Sequence, residues 1–273
     1  MFKPMLAHDF DKHKHKLSYP LYVQPKINGV RMVTESGAWA SRNGKPLRLP
    51  PELRQDIISF TSHLSLDGEL YEHGRPLEHI LGTCKKLTSK SPGIAHLKYY
   101  IFDTPTSGTF NHRYNLLLRD LHTTHHLRLV PTVVALTERV IHQLLASFLS
   151  QGYEGVMVRE ANGTYHNKRH WHLLKLKPWV KGVGTIISFV EGKGKNEGML
   201  GAFLILLEGN ETTVGSGLTD GERKAIWEDM EKFRFRGVGV RFRERTSKGL
   251  PRHCVVDRED PLTMMLMEEA SKQ

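Results

Sequence analysis

Lys26 lies in a segment whose residue types could perform nucleophilic chemistry, the stretch QPKINGVR that ends at Arg31. An ordinary lysine has a pKa near ~10.4, so only about one amine in 10³ is neutral at pH 7. Nearby cations lower that pKa and raise the fraction of reactive amine. Arg31, Lys175 and Lys177 are candidates to supply this field. Taken alone, however, the segment is better explained by a surface lysine before an Asn-Gly turn.

Two further pairs of charged residues are spaced to share one face of a strand. Asp67 and Glu69 are two residues apart, as are Lys175 and Lys177 on either side of Leu176. Carboxylates can hold Mg²⁺ against a phosphate, and paired lysines suit contact with phosphate oxygens. Each pair has a simpler alternative, a turn at Asp-Gly-Glu and solvated lysines on an edge strand.

The elements that must position these residues are mixed in type. Residues 21–49 are predicted to form strands, and a helix is predicted to open at Pro50 and Pro51. The apolar stripe of that helix is expected to comprise Leu53, Ile57, Ile58 and Leu64. Further strands are predicted over residues 65–71, 97–103, 155–159 and 173–177, with a helix over 137–150. The mixture lacks a regular βαβ repeat, which predicts an α+β fold with a largely antiparallel sheet.

The last third of the chain has a different pattern. Beyond residues 177–182 the strands predominate, and they are predicted at residues 185–190, 202–207, 211–214 and 237–244. One helix is expected after Gly217, because Thr219 and Glu222 form a capping box. We therefore predict a domain over residues 1–180 and a second, small OB-type β-barrel over residues 181–273.

Composition narrows the classes of partner. The 273 residues include 39 Lys and Arg against 29 acids, a net charge of +10, which favours nucleic acid first and an anionic membrane second. No apolar run reaches the ~18 residues of a membrane span, and no secretory segment is visible, so we expect a cytoplasmic protein. Cys84 and Cys254 are isolated, which excludes a disulfide framework. The sixteen histidines show no HExxH spacing and are expected to be mostly solvated.

In their order along the chain, these fragments resemble the nucleotidyltransferase motifs of ATP-dependent DNA ligases. The motif residues are Lys26-Ile27-Asn28-Gly29, Ser41-Arg42, Asp67-Gly68-Glu69, Tyr99 to Asp103, Glu154 to Arg159 and Lys175 to Lys177. The resemblance covers nearly the whole chain and points to the minimal two-domain type of phages and bacteria, whose members act in DNA replication, repair and recombination. It implies that Lys26 takes AMP from ATP and passes it to the 5′-phosphate of a nick in duplex DNA. The 3′-hydroxyl then displaces AMP.

The resemblance also implies roles for individual residues. Phe102 would stack on adenine, and Gln24 could read its amino edge. Glu69 and Glu154 would hold Mg²⁺, for which Mn²⁺ can substitute, or contact the ribose. The expected nucleotide site comprises Gln24, Lys26, Arg31, Glu69, Phe102, Glu154, Lys175, Lys177 and Arg258. Arg258 belongs to a shortened last motif and would orient the pyrophosphate. The expected catalytic residues are Lys26, Asn28, Lys175 and Lys177.

DNA contact is expected from four cations. Arg31 and Arg42 would engage the 5′-phosphate of the nick, since arginine holds phosphate in a bidentate fork. Lys193 and Lys195 lie in a glycine-rich segment that suits a loop near a phosphate backbone. That segment is not a Walker A loop, because G-K-[ST] is missing. A monomer acting on nicked duplex DNA is expected.

Asn28 departs from the family pattern, which usually places aspartate there. The amide keeps one acceptor oxygen but loses the charge, so the final sealing step could be slower. Two alternatives remain open at this point. One is an RNA ligase or capping-type nucleotidyltransferase, and the other is an inactive OB-containing nucleic-acid-binding protein.

Overall fold

The computed structural model describes residues 2–61, 64–86, 96–245 and 249–272. The chain forms two compact units, which meet in sequence between Lys177 and Pro178. Among the described residues, no helix combines the length and the apolar character needed to cross a membrane.

The first unit contains two five-stranded sheets. Its strands are β1 (Leu6–Asp9), β2 (Leu21–Lys26), β3 (Val30–Glu35), β4 (Ala38–Ser41), β5 (Leu66–Tyr71), β6 (Lys98–Asp103), β7 (Leu127–Leu129), β8 (Val133–Ala135), β9 (Gly155–Glu160) and β10 (Arg169–Leu176). Its helices are α1 (Phe10–His13), α2 (Pro51–Thr61), α3 (Leu77–Lys86), α4 (Phe110–Asp120) and α5 (Glu138–Ser150). One sheet has the order β1-β10-β9-β2-β8 and the other β4-β3-β5-β6-β7. Pairings are antiparallel except β1 with β10 and β6 with β7, as the sequence predicts for the class of fold.

The sheet that carries β2 is covered by α5. The Thr137 hydroxyl caps α5 by accepting from the Val140 N–H, and Ile141 and Phe148 are buried against the sheet. The helix predicted over residues 137–150 is therefore confirmed, with Thr137 as its cap. This packing holds β2 and β9 side by side, which sets the position of Lys26.

The sheet that carries β5 packs against α2, whose Leu53 and Ile57 are fully buried. The prediction that Ile58 joins this stripe is wrong, because Ile58 is 51% exposed. Adjacent helical residues point about 100° apart, so Ile58 cannot follow Ile57 into the core. The helix ends at Thr61, and Leu64 lies beyond it, partly buried against the same core.

The second unit contains a five-stranded antiparallel sheet and a separate two-stranded sheet. Its strands are β11 (Val180–Glu191), β12 (Leu200–Leu207), β13 (Asn210–Val214), β14 (Gly237–Phe242), β15 (Glu244–Arg245), β16 (Pro251–Arg252) and β17 (Val255–Val256). Its helices are α6 (Asp220–Glu228), α7 (Met230–Phe233) and α8 (Pro261–Ser271). The larger sheet has the order β13-β12-β11-β14-β17, and β15 pairs with β16. The sheet order is open, and a single bridge between Ser216 and Val255 joins its two sides within the described residues.

The predicted capping box is present at the start of α6, where Thr219 and Glu222 exchange both hydrogen bonds. The prediction of one helix in this third of the chain is wrong, since α7 and α8 are also present. Asp260 caps α8 by accepting from the N–H groups of Leu262 and Thr263. Proline follows the cap as the first helical residue, where its missing N–H costs nothing.

Candidate active site

A cavity of about 240 Å³ lies in the first unit, beside the end of β2. It is lined by residues of both sheets, and most of the polar ones are cationic. The cationic lining residues are Lys26, Arg31, Arg42, Arg159, Arg169, Lys175 and Lys177, and Glu69 is the acidic one. A wall with seven cations and one acid suits a strongly anionic ligand.

Lys26 and Lys177 share one carboxylate at this cavity. Lys26 Nζ donates to one oxygen of Glu154, and Lys177 Nζ donates to the other. The backbone fixes this meeting, because Lys26 pairs with Gly155 across β2 and β9 and the Glu154 N–H donates to the Lys26 carbonyl at 3.2 Å. Lys26 and Glu154 are 128 residues apart in sequence.

Gly155 is required for this arrangement. A Cβ at this position would lie 2.3 Å from the carbonyl oxygen of Leu176, at the end of β10. A side chain would therefore push β10 away from β9. Close approach of the two strands brings Lys177, which follows β10, to the same carboxylate as Lys26.

Glu69 reaches the cavity from β5. Its Oε1 accepts from the Gly29 N–H at 3.0 Å, directly after the lysine loop. A Cβ on Gly29 would lie 2.2 Å from the Leu70 carbonyl oxygen, so glycine permits this contact. Burial raises the pKa of the Glu69 carboxyl, and the charges of Arg31 and Lys26 oppose that rise.

Lys175 on β10 and Lys177 just after it both line the cavity, as the alternation predicts. Burial lowers the pKa of Lys175, and the neighbouring charges of Lys177 and Lys26 lower it further. Within the cavity, Lys175 is thus a cation in an environment that already carries excess positive charge. An anionic ligand would relieve that repulsion.

Arg31 is held rigidly at the cavity wall. Its guanidinium donates twice to Asp67, at 2.6 Å for each bond, and once to the Met5 carbonyl at 3.2 Å. The same group lies 4.5 Å from the centre of the Phe102 ring. Asp67 also accepts from the Tyr165 hydroxyl at 2.6 Å. Asp67 therefore positions Arg31, while Glu69 faces the cavity.

Gln24 is buried and its amide is occupied by protein groups. Its oxygen accepts from Arg159 Nε at 2.8 Å. Its nitrogen donates to the Phe102 carbonyl at 3.2 Å and to the Thr132 hydroxyl at 3.0 Å. In this structure Gln24 fixes the strand that carries Phe102, and direct reading of adenine by Gln24 stays a prediction.

Sequence reasoning missed the buried ion network behind Phe102. Asp103 accepts from Arg113 Nε at 2.8 Å and from Arg159 Nη1 at 2.7 Å, and all three side chains are buried. Burial lowers the pKa of Arg159, and the charge of Asp103 opposes that shift. The signal present in the sequence was a charged residue within an apolar strand, Asp103 in β6 and Arg159 in β9.

The other predicted residues occupy three separate places. Arg42 is exposed and lines both the cavity and an adjoining groove of about 700 Å³, to which Lys3 and Lys168 also contribute. Asn28 is exposed beside the lysine and is not part of the cavity lining. Lys193 and Lys195 are exposed in the second unit, where Lys195 lies 3.6 Å from Asp220.

Arg258 also lies in the second unit, where it serves the helix cap. Its guanidinium donates to both oxygens of Glu222, at 2.7 and 3.0 Å, and to the Gly217 carbonyl at 3.0 Å. Glu222 is the buried acid of the capping box. The structure thus gives Arg258 a structural partner, and its expected contact with pyrophosphate stays a prediction.

The α+β fold, the cationic cavity beside Lys26 and the β-rich second unit indicate a nucleotidyltransferase. The family described as ATP dependent DNA ligase domain matches residues 4–177, and that described as DNA ligase OB-like domain matches residues 191–259. The chain belongs to the ATP-dependent DNA ligase family. This membership confirms the resemblance, the OB-like second domain and the α+β class.

Individual relatives agree with this assignment. A DNA ligase of Haemophilus influenzae is 29% identical over 239 residues, which cover 86% of this chain and 84% of the relative. A DNA ligase of African swine fever virus is 33% identical over 207 residues, which cover 68% of this chain and about half (48%) of the viral protein. The first relative matches this chain over most of the length of both proteins.

Solved structures show the same fold. A Lig E DNA ligase has a TM-score of 0.73 at 23% identity and covers 94% of this chain and 98% of its own. The Chlorella virus DNA ligase-adenylate has a TM-score of 0.56 at 24% identity and covers 93% and 96%. At these identities the likeness concerns the fold alone.

Proposed function

We propose that the protein seals nicks in duplex DNA through three transfers centred on Lys26. Lys26 Nζ attacks the α-phosphorus of ATP, forming an N–P bond, losing a proton and releasing pyrophosphate. The 5′-phosphate of the nick then takes AMP from the lysine and restores the free amine. Finally the 3′-hydroxyl attacks that 5′-phosphate, forms the phosphodiester and releases AMP.

The observation that carries this proposal is the position of the Lys26 amine within a wall of cations. A triphosphate entering the cavity meets Lys175 and Lys177, and it can replace Glu154 as the partner of Lys177. Lys26 must also leave Glu154 before its nitrogen can attack. Binding of the triphosphate and release of the Lys26 amine from Glu154 therefore occur through the same exchange of ionic partners.

Mg²⁺ fits the residues at this site, with Mn²⁺ as a substitute. Among the described residues Glu69 accepts one hydrogen bond, from Gly29, which leaves its second oxygen for a hard cation. A cation beside Glu69 would also offset the burial that raises its pKa. When bound, the metal neutralises phosphate charge during the attack. Glu154 could join this contact once the two lysines have exchanged partners.

The groove next to Arg42 suits the phosphorylated end of the broken strand. Arg42 borders both the groove and the cavity, so a 5′-phosphate on Arg42 would lie near the carried AMP. Lys3 and Lys168 extend the positive charge along the groove. Contacts of this kind with the DNA backbone position a duplex without reading its sequence.

Labelling with radioactive nucleotide tests the proposal. We expect the protein to form a labelled adduct with α-labelled ATP and none with GTP, and to seal a nicked DNA duplex. Lys26→Arg should abolish the adduct, because a guanidinium stays protonated at working pH. Lys12→Arg, at an exposed lysine of the same unit, is the matched control and should label normally. Normal labelling of folded Lys26→Arg would refute the assignment of the nucleophile.

A further inference from the structure

Three histidines outside the cavity come together at the start of β10. His170 and His172 lie on one face of the strand, because alternate strand residues point the same way. His166 comes from the preceding loop and stacks on His170, with ring centres 3.6 Å apart and planes at 19°. One ring nitrogen of each histidine lies within 4.8 Å of the others.

The contacts of His172 orient it toward an acidic side chain. Its Nδ1 lies 3.3 Å from the Thr164 carbonyl oxygen, so Nδ1 is the donor in that contact. Its Nε2 faces a carboxylate oxygen of Glu160 at 3.4 Å. The cluster therefore combines three imidazole rings with one neighbouring carboxylate.

We propose that His166, His170 and His172 bind a divalent transition-metal ion of the zinc class, with Glu160 supplying a carboxylate beside it. Imidazole nitrogens suit Zn²⁺, Ni²⁺ and Cu²⁺, whereas Mg²⁺ prefers oxygen ligands. The three ring nitrogens must approach one another by about an ångström or more before each can lie ~2.0–2.1 Å from a shared Zn²⁺. His166 sits on a loop that can supply this movement.

Two of the rings already have protein partners that an ion would have to displace or avoid. His170 Nδ1 accepts from the His172 N–H at 3.2 Å, and His166 Nε2 lies 3.0 Å from the Thr164 hydroxyl. Metal binding through His170 Nδ1 would replace the first of these bonds. The Thr164 carbonyl that orients His172 is the kind of outer contact that fixes metal-binding histidines in proteins.

The ion would fasten the loop to the strand. The loop before β10 carries Lys168, which lines the groove beside Arg42, and β10 carries Lys175 into the cavity. A metal bridge between His166 and β10 would restrict the position of Lys168. The site is thus structural, and its existence does not depend on the ligase chemistry.

Calorimetric titration with Zn²⁺ tests the proposal, using the full chain without an added histidine tag and after treatment with a chelator. We expect one Zn²⁺ per chain, and at least tenfold weaker binding in His170→Asn and in His166→Gln. His122→Asn, at an exposed histidine elsewhere, is the matched control and should bind as the parent. An excess of Mg²⁺ should not displace the ion.

Two results would overturn the proposal. Absence of Zn²⁺ binding to the parent would mean that the three histidines form a ring cluster that holds no ion. Binding that survives in His166→Gln but is lost in His13→Asn would move the site to the nearby His8 and His13 rings, whose centres are 4.3 Å apart. Should His170→Asn fail to fold, His166→Gln in the loop gives the decisive comparison. A Zn²⁺-dependent rise in melting temperature, expected in the parent and absent in His166→Gln, provides a second readout.

Discussion

Replacing Asp103 with asparagine tests the ion network behind Phe102, on one side of the cavity. The carboxylate is fully buried and accepts from Arg113 at 2.8 and 3.2 Å and from Arg159 at 2.7 Å. Asparagine keeps one acceptor oxygen but removes the negative charge that lies between the two guanidinium groups. Breaking a buried ion pair costs about 3–5 kcal/mol, so we expect a loss of about 3 kcal/mol for this conservative change.

A loss of that size is measurable, since whole domains are stable by only about 5–15 kcal/mol. Urea unfolding followed by tryptophan fluorescence gives the free energy, with Trp39 and Trp171 in the first unit and Trp179 and Trp227 in the second. The two units can unfold separately, so the data require a fit that allows two transitions. The transition of the first unit should move to lower urea and that of the second should stay.

Asp120→Asn is the matched control, because Asp120 also makes a two-bond contact with an arginine, Arg119, at 2.6 and 2.8 Å. That pair is solvent-exposed, and exposed pairs contribute little to stability. If Asp103→Asn unfolds at the same urea concentration as Asp120→Asn, the network does not stabilise the first unit. The loss should also reduce ATP labelling, because Arg159 holds Gln24 and, through it, the Phe102 backbone.

Three further perturbations separate the roles of individual residues. Burial raises the pKa of Glu69, so the stability of the parent falls as the pH rises from the ordinary glutamate pKa to the folded-state pKa. Glu69→Gln should therefore melt higher than the parent at neutral pH, lose that advantage in acid and seal poorly. An equal melting temperature at neutral pH would contradict this. Arg42→Ala should keep ATP labelling yet slow AMP transfer to the nick by about tenfold or more, the cost of a lost charged hydrogen bond; lost labelling in a folded variant would refute that role. On pre-adenylylated nicks, Asn28→Asp should stay active and Asn28→Ala should be slower, and sealing by Asn28→Ala at the parental rate would remove Asn28 from the last step.

Local signals in the sequence were sufficient for some elements. The predicted capping box at Thr219 depends on two residues three positions apart, and it is present. The helix predicted over residues 137–150 is also present and begins after its Thr137 cap. The helix α8 carries an equally local signal, Asp260 followed by proline, but it lies next to residues interpreted as a ligase motif and was not predicted. Its weak amphipathic pattern gave no second indication.

The ion networks were beyond prediction from the sequence because their partners are distant and their burial is unusual. Charged side chains are usually exposed, so the sequence alone suggests that Arg113 and Arg159 lie on the surface. Only the folded chain shows the Asp103 carboxylate between them. The histidine cluster was missed for a related reason. The predicted strand began at residue 173, whereas β10 begins at Arg169 and so places His170 and His172 on one face.

The carboxylate shared by Lys26 and Lys177 has a consequence for the order of events at the cavity. In the proposed mechanism, attachment of AMP to Lys26 removes the positive charge of that nitrogen and adds the negative charge of the nucleotide phosphate. Glu154 then no longer pairs with Lys26. The cavity then carries less positive charge and binds a second triphosphate more weakly. The adenylylated form therefore disfavours binding of a competing ATP. The 5′-phosphate of the broken strand must instead bind at the edge of the cavity, where Arg42 remains positively charged.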